Sequence, residues 1–321
     1  MTIDLAHDAA ATIIQPFFKA LEGVLDETEG KVKRTAYGVF AALTLPLALV
    51  QIPIRRMACD CAPHPYSYFR GTGVEQPEAR TLFQLNVCCP PIDSRTFGGV
   101  VPWRLRIDAL AAHIRDSGAD LVCLQEVYDR KAADALIARL GGEYAHIFYD
   151  IGPQSYGCNC SGLMVLSKAP LKNVDFRWYM YGLGAEAWGM KGAIAFDVAG
   201  MGHVINTHLQ YSRRDDAPQV EEQAIRARQL AILRGLVPAD RPTLVVGDLN
   251  IRCDTEEERR ELEPYFYNLL TPQIREEGTC RYGALDYVMQ SRIGAQRPYD
   301  VRKIPSGEIT DHDGLVTTLM G

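Results

Sequence analysis

The 321-residue sequence predicts an α/β fold in which two β-sheets pack face to face, with helices outside them. From residue 81 onward, short apolar runs typical of strands alternate with amphipathic segments typical of helices. Three of the strand-like runs follow one another between residues 162 and 210 without a helical pattern between them. A doubly wound parallel sheet needs a helical crossover between its strands, so this succession favours two packed sheets.

The individual elements follow from the spacing of their apolar residues. Strands are predicted where Val, Ile and Leu cluster between turn-forming residues. Helices are predicted where apolar residues recur at helical spacing, as Ile225, Leu230 and Leu233 do. The predicted strands cover residues 81–87, 120–127, 144–150, 162–168, 192–198, 203–210, 243–250, 284–290 and 314–320, and the predicted helices cover residues 103–117, 129–140, 219–236 and 255–270.

The first 80 residues differ in composition from the rest of the chain. Residues 36–54 form a run of 19 residues without a charge, which is just long enough to span a bilayer as a helix. Pro46 and Pro53 would interrupt or end such a helix, so insertion into the membrane interface is as consistent with the pattern as a span. The alternative is a buried helix of a soluble protein. The sequence therefore predicts a membrane-associated segment over residues 1–56, a linker over 57–80 and a folded domain over 81–321.

The charge of the chain argues against nucleic acid as a partner. The formal net charge is −6, and the acidic excess is spread along the sequence. Proteins that bind nucleic acid usually carry a basic stripe that neutralises phosphates, and this sequence shows none.

Polar residues recur at the ends of the otherwise apolar predicted strands. A strand that is buried on both faces reads as a continuous apolar run, so a charged or amide residue directly after it needs a reason. One such residue is commonly a cap or a solvated edge, but five strand ends carry them here. We predict that the following residues lie at the carboxyl ends of strands: Asn86, Glu126, His208, Asp248 with Asn250, and Asp311 with His312.

This set of acids and amides suits a hard divalent cation that is held by a few protein oxygens together with water. Glu126 is the best candidate for a direct ligand, and Asn86 could complete the shell or hold a metal-bound water. Asp248 could bind the metal or orient the attacking water. Magnesium at a phosphate site is usually bound in this way.

The remaining polar residues suit phosphodiester hydrolysis, which needs an activated water and neutralised phosphoryl oxygens. His312, beside Asp311, is a candidate general base, and Asp286 could orient its imidazole. His208 and Asn250 could donate hydrogen bonds to the phosphoryl oxygens.

Six short motifs occur in order along the chain: LQEV at 124–127, SGLMVLSK at 161–168, THLQ at 207–210, GDLN at 247–250, LDY at 285–287 and TDH at 310–312. In this order they resemble the motifs of the endonuclease/exonuclease/phosphatase superfamily. Longer stretches include ADLVCLQEVYDRKAA from Ala119, YAHIFYDIG from Tyr144 and MKGAIAF from Met190. These stretches are similar to the membrane-anchored neutral sphingomyelinases in particular.

The resemblance implies a four-layer α/β sandwich that hydrolyses sphingomyelin to ceramide and phosphocholine. It also implies dependence on Mg²⁺, with Mn²⁺ as a substitute, a sphingolipid or phospholipid substrate in a membrane, and an anionic lipid as activator. It places Lys191 beside the substrate phosphate, where an earlier acidic residue, here Glu186, would help to position it. It further implies that Glu126 binds magnesium and that Asn86, Asp248 and Asn250 interact with the phosphate and the metal. In the same way it implies that His312, paired with Asp286, is the base and that His208 assists at phosphorus.

Two other classes of function remain open from the sequence. One is a nuclease, an inositol-phosphate phosphatase or a phospholipase C for another head group, because a fold alone does not decide the substrate. The other is a membrane scaffold with an inactive domain, which the presence of every candidate site residue disfavours.

Overall fold

A computed structural model describes residues 16–17, 19–21, 24, 31–61, 65–92, 100–152, 160–184, 186, 189–212 and 220–321. Most of the predicted membrane-associated segment before residue 31 lies outside these ranges.

Two mixed β-sheets form the framework of the described chain, as the sequence predicts. The strands of the seven-stranded sheet, in spatial order, are β1 (Ser67–Arg70), β4 (His146–Tyr149), β5 (Met164–Ser167), β3 (Leu121–Val127), β2 (Thr81–Cys89), β13 (Gly314–Leu319) and β12 (Tyr299–Ile304). Those of the six-stranded sheet are β10 (Phe266–Asn268), β11 (Asp286–Ser291), β9 (Thr243–Asp248), β8 (Gly202–His208), β7 (Gly192–Val198) and β6 (Leu171–Trp178).

The helices of the described residues lie before and between these strands in the chain. They are α1 (Lys31–Cys61), α2 (Trp103–Asp116), α3 (Arg130–Leu140), α4 (Val220–Arg234), α5 (Glu256–Glu261) and α6 (Pro272–Glu277). Helices α2 and α3 pack Leu110, Ile114 and Leu136 against the seven-stranded sheet in one apolar core. A second core combines residues of both sheets, such as Leu121 and Val204, with Leu230 and Leu233 of α4.

A pair of buried amides joins the two sheets inside the core. The Nε2 of Gln125 in β3 donates to the Oδ1 of Asn206 in β8 at 2.7 Å. The Nδ2 of Asn206 in turn donates to the carbonyl oxygen of Leu124 at 3.2 Å. Because both side chains are fully buried, their hydrogen bonds fix how the two sheets sit against each other.

The helix predicted over residues 255–270 is wrong in its second half. Helix α5 ends at Glu261, and residues 266–268 form β10 instead. Pro264 explains the difference, since proline offers no backbone N–H and disfavours helical geometry in the residue before it. Phe266 then pairs with Ser291 of β11 and buries its ring in the core.

Two predicted strand-end residues lie at the opposite end of their strand. Asp311 and His312 precede β13 rather than follow a strand. Strand β13 runs antiparallel to β2, with Leu315 opposite Gln84, so its amino end lies beside the carboxyl end of β2. The antiparallel pairing of β11 with β9 likewise places Asp286 opposite Asp248.

Helix α1 carries exposed apolar side chains, among them Val39, Leu43 and Leu49. It continues past residue 56, the predicted end of the membrane-associated segment, to Cys61. Within the ranges that the structure describes, no helix combines the length and hydropathy needed to cross a membrane.

Candidate active site

The predicted site residues meet at one end of the two sheets. Asn86 and Glu126 lie near the carboxyl ends of the parallel strands β2 and β3, while the parallel strands β8 and β9 end at His208 and Asp248. The backbone of Glu126 has a φ of +64°, which few residues with a side chain adopt. Such conformations persist where the surrounding structure imposes them, and they cluster at functional sites.

Asn86 holds the two acidic side chains of the site together. Its Nδ2 donates to the Oε1 of Glu126 and to the Oδ2 of Asp248, each at 3.0 Å. Its Oδ1 accepts from the backbone N–H of Cys88 at 3.1 Å. Asn86 was predicted to help bind a metal, and in this arrangement its amide bridges the carboxylates of the candidate ligands.

Both carboxyl groups bind protons more tightly than usual. Burial raises the pKa of Glu126 to about 7, against the opposing charge of Lys191. Burial also raises the pKa of Asp248 to about 6, against the opposing charge of His312. A bound cation would favour their charged forms, because an opposite charge nearby lowers the pKa of a carboxyl group.

The ligand atoms of Glu126, Asp248 and His208 lie within 4.8 Å of one another. Two carboxylates and an imidazole nitrogen at this spacing fit a single divalent cation, and the carboxylate oxygens are the donors that Mg²⁺ prefers. A second group of three, Asp248, Asp286 and His312, meets the same spacing.

Lys191 is a buried cation beside this group, with 3% of its side chain exposed. Its Nζ donates to the carbonyl oxygen of Leu209 at 2.8 Å and lies 3.0 Å from the Nε2 of His208. It also forms an ion pair with Glu186. The structure thus brings Lys191 next to His208, another of the candidate residues.

The imidazole of His208 is neutral in this environment. Burial lowers its pKa well below the usual value, and the charges of Lys191 and His312 lower it further. Its Nε2 faces the donors of Lys191 and of Asn250, whose Nδ2 lies 3.2 Å away, so Nε2 is the acceptor. The proton then lies on Nδ1, which is buried without a hydrogen-bond partner among the described residues.

His312 and Asp286 form the predicted pair. The Nδ1 of His312 lies 2.7 Å from the Oδ2 of Asp286, and because a carboxylate only accepts, Nδ1 carries the proton. Burial alone would lower the pKa of His312, but the charges of Asp286 and Asp248 raise it well above the usual value. Asp311 adds to this effect, and its Oδ1 accepts from the hydroxyl of Thr310 at 3.4 Å.

Sequence reasoning missed Thr279, which supports the pair. Its hydroxyl donates to the Oδ2 of Asp286 at 2.6 Å and accepts from the backbone N–H groups of Leu285 and Asp286 at 3.1 and 3.2 Å. A single threonine in a loop carries no pattern that could have marked this role.

Sequence reasoning also missed Arg106, a buried arginine that joins two segments of the site. Its guanidinium donates to the carbonyl oxygens of Val87 at 2.8 Å and Ile309 at 2.7 Å, and it also contacts that of Cys88. It thereby fixes the end of β2 relative to the segment that carries His312. The signal was available, since Arg106 interrupts the apolar face of α2 and charged residues are rarely buried without partners.

The fold and the site define the class of protein. The sequence model of the Endonuclease/Exonuclease/phosphatase family matches residues 84–312, and the chain belongs to this family.

Individual relatives are more distant. Sphingomyelin phosphodiesterase 3 of Mus musculus is 28% identical over 223 residues, which cover 61% of this chain and 30% of that protein. Sphingomyelinase C of Listeria ivanovii is 26% identical over 171 residues, which cover 47% of this chain and 51% of that protein. This chain thus matches only 30% of the length of the mouse relative.

Solved structures share the fold. Sphingomyelinase C from Streptomyces griseocarneus superposes with a TM-score of 0.60 at 22% identity, over 75% of this chain and 99% of that one. Beta toxin from Staphylococcus aureus with bound magnesium ions gives a TM-score of 0.59 at 18% identity, over 76% and 100%.

Proposed function

We propose that this protein is a magnesium-dependent phosphodiesterase that hydrolyses sphingomyelin to ceramide and phosphocholine by direct attack of an activated water. The observation that carries the proposal is the meeting of two carboxylates, a buried ammonium and a carboxylate-paired imidazole at one end of the sheets. The names of the relatives, sphingomyelin phosphodiesterase 3 and sphingomyelinase C, support the substrate.

Glu126 and Asp248 are the proposed ligands of Mg²⁺, for which Mn²⁺ could substitute, and Asn86 orients both carboxylates. Such a cation, when bound, neutralises phosphoryl charge and acidifies water. The raised pKa values of the two carboxyl groups support this assignment, because burial causes them and a bound cation would offset the cost of burying the two charges.

The roles of the other side chains depend on which of their atoms carry a proton and which can accept one. The ammonium of Lys191 and the amide of Asn250 can each donate a hydrogen bond to a phosphoryl oxygen as negative charge develops there. His312, in its neutral form, would take the proton of the attacking water through Nε2, while Asp286 holds Nδ1–H and stabilises the charge that results. His208 is held neutral, and its Nε2 faces the donors of Lys191 and Asn250.

We also propose that residues 1–56 attach the protein to a membrane and that an anionic lipid activates it. The exposed apolar side chains of α1, such as Phe40 and Leu43, support attachment at the membrane interface. The acidic net charge of −6 speaks against nucleic acid as the substrate.

A magnesium-titrated assay of the purified full chain on mixed micelles tests the proposal. Micelles of choline-, ethanolamine- and inositol-headed lipids, with duplex DNA in parallel, would separate the candidate substrates. The proposal expects release of phosphocholine from sphingomyelin that needs Mg²⁺, is lost in Glu126→Gln and persists in Glu276→Gln, which removes an exposed carboxylate. Faster cleavage of DNA or of an inositol lipid would replace sphingomyelinase with one of the alternatives.

A further inference from the structure

A fully buried glutamine in α4 holds together the two segments on either side of Lys191. The Oε1 of Gln229 accepts from the backbone N–H of Gln210 at 2.8 Å. Its Nε2 donates to the carbonyl oxygen of Tyr181 at 2.8 Å. Both halves of one amide are therefore used to join the end of β8 to the segment that precedes Lys191.

Gln210 makes a second connection between the same segments. Its side-chain Oε1 accepts from the backbone N–H of Leu183 at 2.9 Å, and its Nε2 donates to the carbonyl oxygen of Tyr211 at 2.9 Å. The side chain of Gln210 is also buried. Together, the amides of Gln229 and Gln210 form what we call the glutamine clamp, which fixes residues 181–183 against residues 210–211.

The glutamine clamp determines where the ammonium of Lys191 lies. The N–H of Glu186 donates to the carbonyl oxygen of Leu183 at 3.2 Å, so Glu186 follows the clamped segment. The carboxylate of Glu186 accepts from the backbone N–H of Tyr211 at 3.2 Å and pairs with Lys191. Lys191 also donates to the carbonyl oxygen of Leu209, directly before Gln210. Glu186 is thus hydrogen-bonded to residues that the clamp holds, and Leu209 directly precedes one of them.

We propose that Gln229 is a positioning residue that acts through Lys191, with Gln210 as its relay; this inference rests on the proposed function. Loss of the Gln229 amide leaves the buried backbone N–H of Gln210 unsatisfied and releases the carbonyl of Tyr181 from α4, so the segment that precedes Lys191 has to move. A displacement of about 1 Å at a reacting centre can lower a rate by about 10²-fold.

The first test measures the position of Lys191 without using activity. The variant is Gln229→Met, which keeps the side chain long and unbranched but removes both hydrogen-bonding groups. Mass spectrometry would follow the rate at which an amine-reactive acetylating reagent modifies Lys191, with the exposed Lys172 as internal standard. We expect at least a fivefold faster reaction at Lys191 and no change at Lys172, whereas Gln273→Met, on an exposed glutamine of α6, should change neither. An unchanged rate at Lys191 would overturn the proposal.

The second test uses a double-mutant cycle on sphingomyelin hydrolysis. Gln229→Met should lower kcat by about tenfold with KM within about twofold, but by less than about twofold in a Lys191→Ala background, since its effect passes through that lysine. Equal losses in both backgrounds would mean a general structural role. Gln210→Met, which frees the N–H of Leu183, should give the same pattern and serves if Gln229→Met does not fold. A wild-type protein that releases no phosphocholine would refute the proposed function, while the acetylation result would still decide the inference.

Discussion

Binding of Mg²⁺ should weaken as the pH falls below 7, because the carboxyl group of Glu126 then holds a proton. The raised pKa of this group, about 7, has burial as its main cause. A cation must displace the proton before it can bind the carboxylate, so metal affinity depends on pH. The loss of affinity should be greatest on the acidic side, since most of the carboxyl groups are already ionised above the pKa.

The size of the effect follows from a pKa of about 7 for Glu126. About one tenth of the carboxyl groups are ionised at pH 6 and about nine tenths at pH 8. The apparent Kd for Mg²⁺ should therefore be about tenfold higher at pH 6 than at pH 8. At pH 7, binding should release about half a proton per ion from this group. Asp248, with a pKa of about 6, should steepen the loss below pH 6.

Calorimetry in two buffers of different ionisation enthalpy would measure both the affinity and the number of protons released. The full chain should be compared with Glu126→Gln, which lacks the titrating group, and with Glu276→Gln as the control for loss of one surface charge. Glu126→Gln should bind Mg²⁺ weakly, with little pH dependence between 7 and 8, and should lose most of its activity. An apparent Kd that is constant from pH 6 to pH 8 in the wild type, or Mg²⁺-dependent turnover that survives in Glu126→Gln, would refute the reasoning.

Three further predictions concern the other parts of the protein. Lys191→Ala should lower kcat by about 10²-fold or more, the scale of losing one preorganised charge, and Lys191→Arg should recover only part of it; wild-type turnover by Lys191→Ala would remove this lysine from the mechanism. Asp286→Asn should move the acidic limb of the pH–rate profile to lower pH and reduce the maximal rate, because Asp286 raises the pKa of His312 and a base must be unprotonated; an unaltered profile would indicate a different base. Deletion of residues 1–61, which removes α1 whole, should release the protein from membranes while activity on detergent-dispersed substrate persists, as a fractionation assay would show; continued membrane binding would mean that the remaining domain carries its own anchor.

The site residues that the sequence predicts are polar residues at the ends of apolar strands. Asn86 and Glu126 follow apolar runs of two neighbouring parallel strands, and so do His208 and Asp248, so the proximity within each pair could be expected. The meeting of the two pairs depends on how the two sheets pack, which no local pattern encodes. Asp311 and His312 were expected to follow a strand but precede one, because the direction of β13 depends on a pairing that no local pattern encodes.

The parts that the sequence does not predict depend on long-range contacts. Thr279 and Gln229 form hydrogen bonds with backbone groups of other residues, and neither residue type carries a recognisable pattern. Strands β6 and β12 lie at the edges of their sheets with many exposed residues, so they lack the apolar runs by which the inner strands were found. Pro264, and Arg106 on the apolar face of α2, are the two positions where a local signal exists in the sequence.

The candidate site is divided between the two sheets, and this division has a consequence for how the protein loses activity. Asn86 and Glu126 belong to one sheet and Asp248 to the other, and the 3.0 Å bond from Asn86 to Asp248 crosses between them. A small slip of one sheet over the other would break this bond while every strand kept its neighbours. Turnover during gradual heating would then disappear before the circular dichroism of the strands changes. Activity would therefore report how rigidly the two sheets pack against each other. It would detect a loosening that measurements of secondary structure do not detect.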